Sequence, residues 1–336
     1  MDKLKAIKSL FRHLLRRKPR PLISLERPTE QEQILIEELR STFKRLALSA
    51  SLTPDVEDEW IKYEKRLHYL VLNDDPRAFL RWDIISRNMF VADADYIKQE
   101  LESLKQEQQW QNRWRAAIKE SSIGCPTPYS LYTESSGNLI HHAYHLSQFE
   151  KVLGKTVDTL DMVWEFGGGY GSMCRLFYNL GFKGLYIIFD LPRVSALQRF
   201  FLKSLNIPIV SLDDAARGKR GVLLSSELDQ LKSLLSDMRA IDIGERAFVA
   251  TWSVSETPIA LRKIVLELAR DFDCYLIAYQ DRFSDVNNID FFETWRATIE
   301  GYWQTGLIAH VPGDNRYLFG VREKNKRAED VVVNSL

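Results

Sequence analysis

Trp164-Glu-Phe-Gly-Gly-Gly-Tyr-Gly-Ser172 decides how this chain is read. The run Met162-Val-Trp-Glu-Phe166 is apolar except for one acid, as expected of a strand covered on both faces. A cluster of glycines follows and opens a helix. A turn this sharp needs left-handed backbone, and a ligand lying against it needs the space a Cβ would fill. Glu165, at the mouth of the sheet, suits a cationic group such as an ammonium. Leu185-Tyr-Ile-Ile-Phe189 reads as the second strand and closes on Asp190. An acid there is placed to accept hydrogen bonds from two ribose hydroxyls.

The same alternation continues outward. Pro208-Ile-Val210 reads as a third strand, Phe248-Val-Ala-Thr-Trp252 as a fourth and Cys274-Tyr-Leu-Ile-Ala-Tyr279 as a fifth. Helical stretches separate them. In the stretch after Thr257-Pro258, Leu261, Ile264, Val265 and Leu268 share one face. Apolar strands alternating with helices imply a parallel sheet with helices on both sides. The last runs, Gly306-Leu-Ile-Ala-His310 and Arg316-Tyr-Leu-Phe319, are joined by Val311-Pro-Gly-Asp-Asn315, too short for a helical crossover. They should form an antiparallel hairpin. The expected fold is α/β: a Rossmann-like, seven-stranded, mostly parallel sheet with a C-terminal antiparallel hairpin, preceded by a helical N-terminal region. The stretch from Asp213 to Arg246 fits least well and reads as an insertion, with Gly221-Val-Leu-Leu-Ser225 as an extra strand and a helix to Met238.

Residues 1–134 read as the helical region, on the substrate side. Leu35, Leu39, Phe43 and Leu46 make one stripe, and Pro54 with Asp55, Glu57, Asp58 and Glu59 looks like a helix start. Residues 135–325 read as the ligand-binding domain and 326–336 as a flexible tail. A helix is expected from Asn138 to Leu153, with Gly154 ending it. The first twenty residues hold eight Lys and Arg against one Asp. Their apolar residues recur at helical spacing, so the stretch reads as a solvated basic helix, with peripheral membrane contact as a second reading.

Charge is balanced, with 46 Lys+Arg against 46 Asp+Glu, so no global field favours nucleic acid. Cys125, Cys174 and Cys274 are isolated, which fits a reducing cytoplasm and no zinc ribbon. No apolar run approaches the ~20 residues of a membrane span.

Glu165-Phe-Gly-Gly-Gly-Tyr-Gly171, Asp190 and the closing hairpin resemble the class I S-adenosylmethionine-dependent methyltransferases, over about residues 135–323. Phe248-Val-Ala-Thr-Trp-Ser-Val-Ser-Glu-Thr-Pro258 and Ser136-Gly-Asn-Leu-Ile-His-His-Ala-Tyr-His145 look like the sugar O-methyltransferase family. The resemblance implies S-adenosylmethionine as cofactor, with Glu165, Gly167, Gly169 and Gly171 around its methionine part and Asp190 at the ribose. It puts Leu191 beside the adenine, Asp213 at the adenine amine, and Trp252 and Ser253 at the cofactor's edge. The acceptor would be a small molecule or glycan. A nicotinamide-dependent oxidoreductase is the first alternative, but its G-x-G-x-x-G/A spacing would end on Ser172 or Cys174, and Glu165 would repel a pyrophosphate. A silent cofactor-binding protein is the second.

Methyl transfer to a weakly acidic hydroxyl needs alignment and a group to take the proton. His141 and His145, at i, i+4 spacing in a helix, are candidates. Glu256, after the fourth strand, is another. Together with Asp281 it could hold Mg²⁺ against sugar hydroxyls, although no full metal ligand set is legible. His310, near the end of the sixth strand, could line the acceptor pocket. The sequence leaves the oligomeric state open.

Overall fold

Period-2 alternation sorts the strand residues of the second half onto two faces. The computed structural model describes residues 25–46, 58–239 and 244–322. The basic stretch 1–20, the turn at Pro54 to Glu57 and the tail 326–336 lie outside the described residues. One sheet holds β1 (Met162–Phe166), β2 (Leu185–Phe189), β3 (Ile209–Val210), β4 (Gly221–Ser225), β5 (Arg246–Thr251), β6 (Cys274–Gln280), β7 (Tyr302–Leu307) and β8 (Asn315–Val321). Their order is β7-β8-β6-β5-β1-β2-β4-β3. The six strands β1 to β6 pair in parallel. β8 runs antiparallel to β6 and β7, giving the expected closing hairpin.

The sheet has eight strands rather than seven, because the inserted stretch supplies its inner strand. Gly221–Ser225 pairs directly with β2 along its whole length. Val222 and Leu223 are buried, whereas two-residue β3 is left at the edge with Ile209 half-exposed. A longer apolar strand gains more by taking the covered position. The third strand in chain order lies at 209–210 and Gly221–Ser225 forms the additional strand, as read; what the sequence did not show is that the additional strand is the one that pairs with β2.

Helices cover both faces: α1 (Glu30–Arg45), α2 (Asp58–Asn73), α3 (Tyr96–Lys105), α4 (Gly137–Leu153), α5 (Ser172–Asn179), α6 (Pro192–Ser204), α7 (Ile259–Ala269) and α8 (Asn288–Arg296). Val163, Tyr186, Ile188, Val249 and Leu276 point to a core shared with α1 to α6. Trp164, Ile187, Phe248 and Ile277 point the other way, to α7 and α8. The first core runs without a break from Ile36 to Phe319, so residues on both sides of the expected border at 134 pack together. No described helix is long and apolar enough to cross a membrane.

The N-terminal layer is fastened at specific points. α1 starts on a capping box between Thr29 and Glu32 and buries Ile36, Leu39 and Phe43. Arg193 of α6 donates to Glu64 of α2 at 2.9 Å and to the Leu46 carbonyl at 2.8 Å. Both side chains of this ion pair are 1% exposed. α4 starts on the Ser136 hydroxyl, which accepts from the Leu139 N–H, and ends on Gly154 at φ 69° as expected. At Gly137 an added Cβ would lie 1.9 Å from the Ala92 carbonyl oxygen, so the segment before α3 rests directly on the first turn of α4.

Removing one member of a buried ion pair leaves the other charge desolvated. Glu64→Ala is expected to cost about 3 kcal/mol in urea unfolding; a loss below about 1 kcal/mol would mean that this pair does not hold the layer.

Candidate functional site

The carboxyl ends of β1, β2, β4 and β5 open into a cavity of about 910 Å³. This is the end of an open α/β sheet where ligands bind, and its size suits a molecule of a few tens of heavy atoms. Its floor is the turn from Glu165 to Tyr170. One side is Asp190, Leu191 and Pro192, continued by Ser226 to Asp229 beyond β4. The other is Thr251, Trp252, Ser253 and Glu256 beyond β5. Arg87 to Val91 of the N-terminal layer and Asn138, His141 and His142 of α4 close it.

The glycine turn is a steric necessity. Gly167 and Gly169 sit at φ +71° and +56°, and a Cβ on Gly167 would lie 2.4 Å from the Ser253 Cβ. The Ser253 hydroxyl donates to the Phe166 carbonyl, locking the turns after β1 and β5 together. Asn138 accepts from the Val91 N–H at 3.0 Å and donates to the Tyr170 hydroxyl at 2.9 Å, joining the glycine turn to the closing segment.

Two carboxyls face this cavity without a cation. Glu165 is 3% exposed, and burial pushes its carboxyl up to about 8, although it accepts a hydrogen bond from the Tyr186 hydroxyl at 3.0 Å. Burial likewise pushes Asp190 up to about 7, against bonds from the Leu191 N–H and the Gln198 amide. Gln198 donates to Asp190 at 2.9 Å and to the Gly169 carbonyl at 2.8 Å, so one amide ties both strand-end loops. A ligand bringing an ammonium to Glu165 and hydroxyls to Asp190 would relieve this cost.

Behind Trp252 the turn is rigid. Trp252 holds φ 61°, and its indole N–H donates to the Asn315 side chain at 2.8 Å. Arg262, fully buried on α7, donates to the carbonyls of Ser255 at 2.7 Å and Thr257 at 2.9 Å and to Asn288 at 2.6 Å. The buried stripe of α7 is Arg262, Val265, Leu266 and Ala269, rotated from the expected one; Leu261 and Ile264 line the cavity instead.

Glu165, Gly167, Gly169, Leu191, Asp190, Trp252, Ser253, Glu256 and His141 all reach the cavity. Gly171, at φ +95°, shapes the turn from behind, packed near Leu202. Several expectations are corrected. Asp213 is exposed on the short helix beyond edge strand β3, away from the cavity. Ser226 to Asp229 line the cavity instead, because they follow the strand that pairs with β2. His145 is fully buried with Nδ1 bonded to the Tyr317 hydroxyl, and burial holds it well below the ordinary imidazole value. It cannot touch a bound acceptor. Asp281 is engaged by Arg316 at 2.6 and 3.1 Å, so it does not join Glu256 around Mg²⁺. His310 bonds to buried Glu100 at 2.8 Å instead of lining the pocket. Glu256 is held by Gln280 at 3.3 Å, and burial raises its carboxyl.

Sequence reading missed Glu100, Asn138, Gln198 and Arg262, and passed over His142, a neighbour of the two candidate bases, when those were chosen. His142 lines the cavity, where burial drives it down to about 3. Arg262 left no legible sign, because it lies off the stripe of Leu261, Ile264, Val265 and Leu268 that the sequence marks, on a helix that also carries Lys263 and Glu267.

No family model matches this chain, and no curated protein matches it. Several solved structures are similar to it. Magnesium protoporphyrin IX methyltransferase of Synechocystis PCC 6803 with bound SAM is 15% identical, with a TM-score of 0.36, over 69% of this chain and 100% of that one. TrmK of M. capricolum, in complex with S-adenosyl-homocysteine, is 11% identical with a TM-score of 0.34, over 53% and 67%. The METTL16 MTase domain gives 11% and 0.34, over 53% and 66%. Likenesses at this level carry no argument about the site; the Rossmann-like fold rests on the strand order above.

Glu165 gives a pH dependence. A carboxyl near 4.5 when unfolded and about 8 when folded contributes stability below the lower value and loses it as pH rises through the upper one. Between pH 5 and 8 the ligand-free protein should lose stability in urea, and Glu165→Gln should lose about 3 kcal/mol less. Equal losses would show that the Glu165 carboxyl is not held protonated.

Proposed function

We propose that this cavity binds S-adenosylmethionine and that the protein is a methyltransferase acting on a hydroxyl group, with a sugar as the acceptor class. The observation that carries the cofactor reading is the meeting of Glu165, the glycine turn and Asp190 on one cavity floor. The cavity lies beside β1 at the switch point of the strand order, where the chain, having built β2, β3 and β4 on one side, crosses to β5 on the other, the position favoured for nucleoside ligands. Glu165 would take the methionine ammonium and Asp190 the ribose hydroxyls. Leu191 would pack against the adenine, whose edge would face Ser226 to Leu228. The cofactor supplies an electrophilic methyl on a sulfonium. The chain's own residues would hold it, exclude water and receive the acceptor's proton.

The sugar reading draws support from the two stretches that resemble sugar O-methyltransferases. They form opposite walls of this one cavity: His141 and His142 on one side, Thr251, Trp252, Ser253 and Glu256 on the other. Trp252 offers an aromatic face and Glu256 a carboxyl, both suited to a hydroxyl-rich ring. A dinucleotide is disfavoured because the buried carboxyl of Glu165, just before the glycine turn, lies beside the position its pyrophosphate would occupy.

Calorimetric titration with S-adenosylhomocysteine, with NAD(H) in parallel, tests this reading. Binding of the first alone is expected, weakened at least about tenfold by Asp190→Ala through the lost hydrogen bonds. Binding of NAD(H) alone would overturn it, and unchanged affinity in Asp190→Ala would remove Asp190 from the ribose.

A further inference from the structure

Away from the cofactor floor, a single carboxylate joins three parts of the chain. Glu100 of α3 is fully buried. It takes the His141 Nδ1 of α4 at 2.8 and 2.9 Å, and the His310 Nε2 of the loop between β7 and β8 at 2.8 Å. Burial alone would raise this carboxyl, but hydrogen bonds from His141 and His310 outweigh it and hold it below the ordinary value. A charged carboxylate has no proton to donate, so both imidazole nitrogens facing it carry hydrogen. On His141 the proton therefore sits on Nδ1. His141 lines the cavity, its Nε2 has no hydrogen-bond partner among the described residues, and its ring stacks on Trp252 at 5.8 Å and 19°.

We infer that Glu100 is a positioning residue that fixes His141 as the Nδ1–H tautomer, so that Nε2 presents a lone pair to the acceptor hydroxyl. His310 is the second clamp on the same carboxylate, bringing the C-terminal hairpin into the arrangement. The inference rests on the methyltransferase reading for its chemistry. In the step, the acceptor O–H proton passes to Nε2 while an oxygen electron pair forms the new O–CH₃ bond. The S–CH₃ bond breaks with its electrons going to sulfur, leaving a neutral thioether. His141 ends as an imidazolium balanced by Glu100, with no further reactant required. A histidine with only a packing role would need neither an open Nε2 nor a charged partner on Nδ1.

The test uses the full chain labelled with ¹⁵N-histidine. Long-range ¹H–¹⁵N spectra, assigned with His141→Gln, should show His141 as the Nδ1–H tautomer. Diethyl pyrocarbonate, which attacks an unprotonated accessible imidazole nitrogen, should modify His141, located by peptide mass. Glu100→Gln should mix the tautomers and slow that modification about tenfold, the size expected for losing a hydrogen bond to a charged group. Glu100→Asp keeps the charge and should retain the wild-type tautomer. An Nε2–H tautomer in the wild type, no modification of folded wild type at His141, or an unchanged rate in Glu100→Gln would each overturn the inference. The wild-type spectrum decides even if Glu100→Gln does not fold. Failure to bind S-adenosylhomocysteine, with these His141 results intact, would count against the methyltransferase reading alone.

Discussion

A Cβ on Gly167 would lie 2.4 Å from the Cβ of Ser253, and the rest of the site depends on that closeness. The turns after β1 and β5 touch, locked by the Ser253 hydroxyl on the Phe166 carbonyl. The contact fixes the cavity floor and brings Trp252 over α4, where its ring meets His141. Any side chain at Gly167 would push these turns apart and separate the floor from the wall of Trp252, Ser253 and Glu256. Arg262 braces the same turn from the opposite face of the sheet, with three hydrogen bonds from a buried guanidinium. Burying that charge costs free energy unless its hydrogen bonds are met, so the bracing is itself evidence that the turn's shape is specified.

The N-terminal layer completes the site. Arg87 to Val91 roof the cavity, and Asn138 pins that roof to the glycine turn. Glu100 extends from α3 to the histidine wall, and Arg193, three residues past Asp190, is anchored to Glu64 of α2. Burial beneath the strand-end loops and this layer raises both Glu165 and Asp190.

What could be read in the sequence was whatever repeats at fixed spacing. The continuous apolar strands, the acid at each strand end, the glycine turn and the short hairpin link all follow from local chemistry. Gly154 ends its helix at positive φ, as a glycine after a periodic stretch should. The order of strands at the edge was not legible, because a two-residue run and a five-residue run compete for the same neighbour, and only packing decides between them. That competition put Ser226–Asp229, and not Asp213, on the wall of the cavity. Nor could spacing separate His141 from His145. Both lie on one helix face, but His145 is roofed by Tyr317, which comes 172 residues later. Glu100 carried no local signal; it looks like any acid on a polar helix until α3 packs on α4.

The most direct measurement of the central claim is a co-crystal structure with S-adenosylhomocysteine. The account predicts the ligand on the glycine turn, its ribose hydroxyls within about 3 Å of Asp190, its ammonium beside Glu165 and its sulfur facing the wall of His141 and Trp252. A ligand bound elsewhere, or a ribose turned away from Asp190, would contradict it.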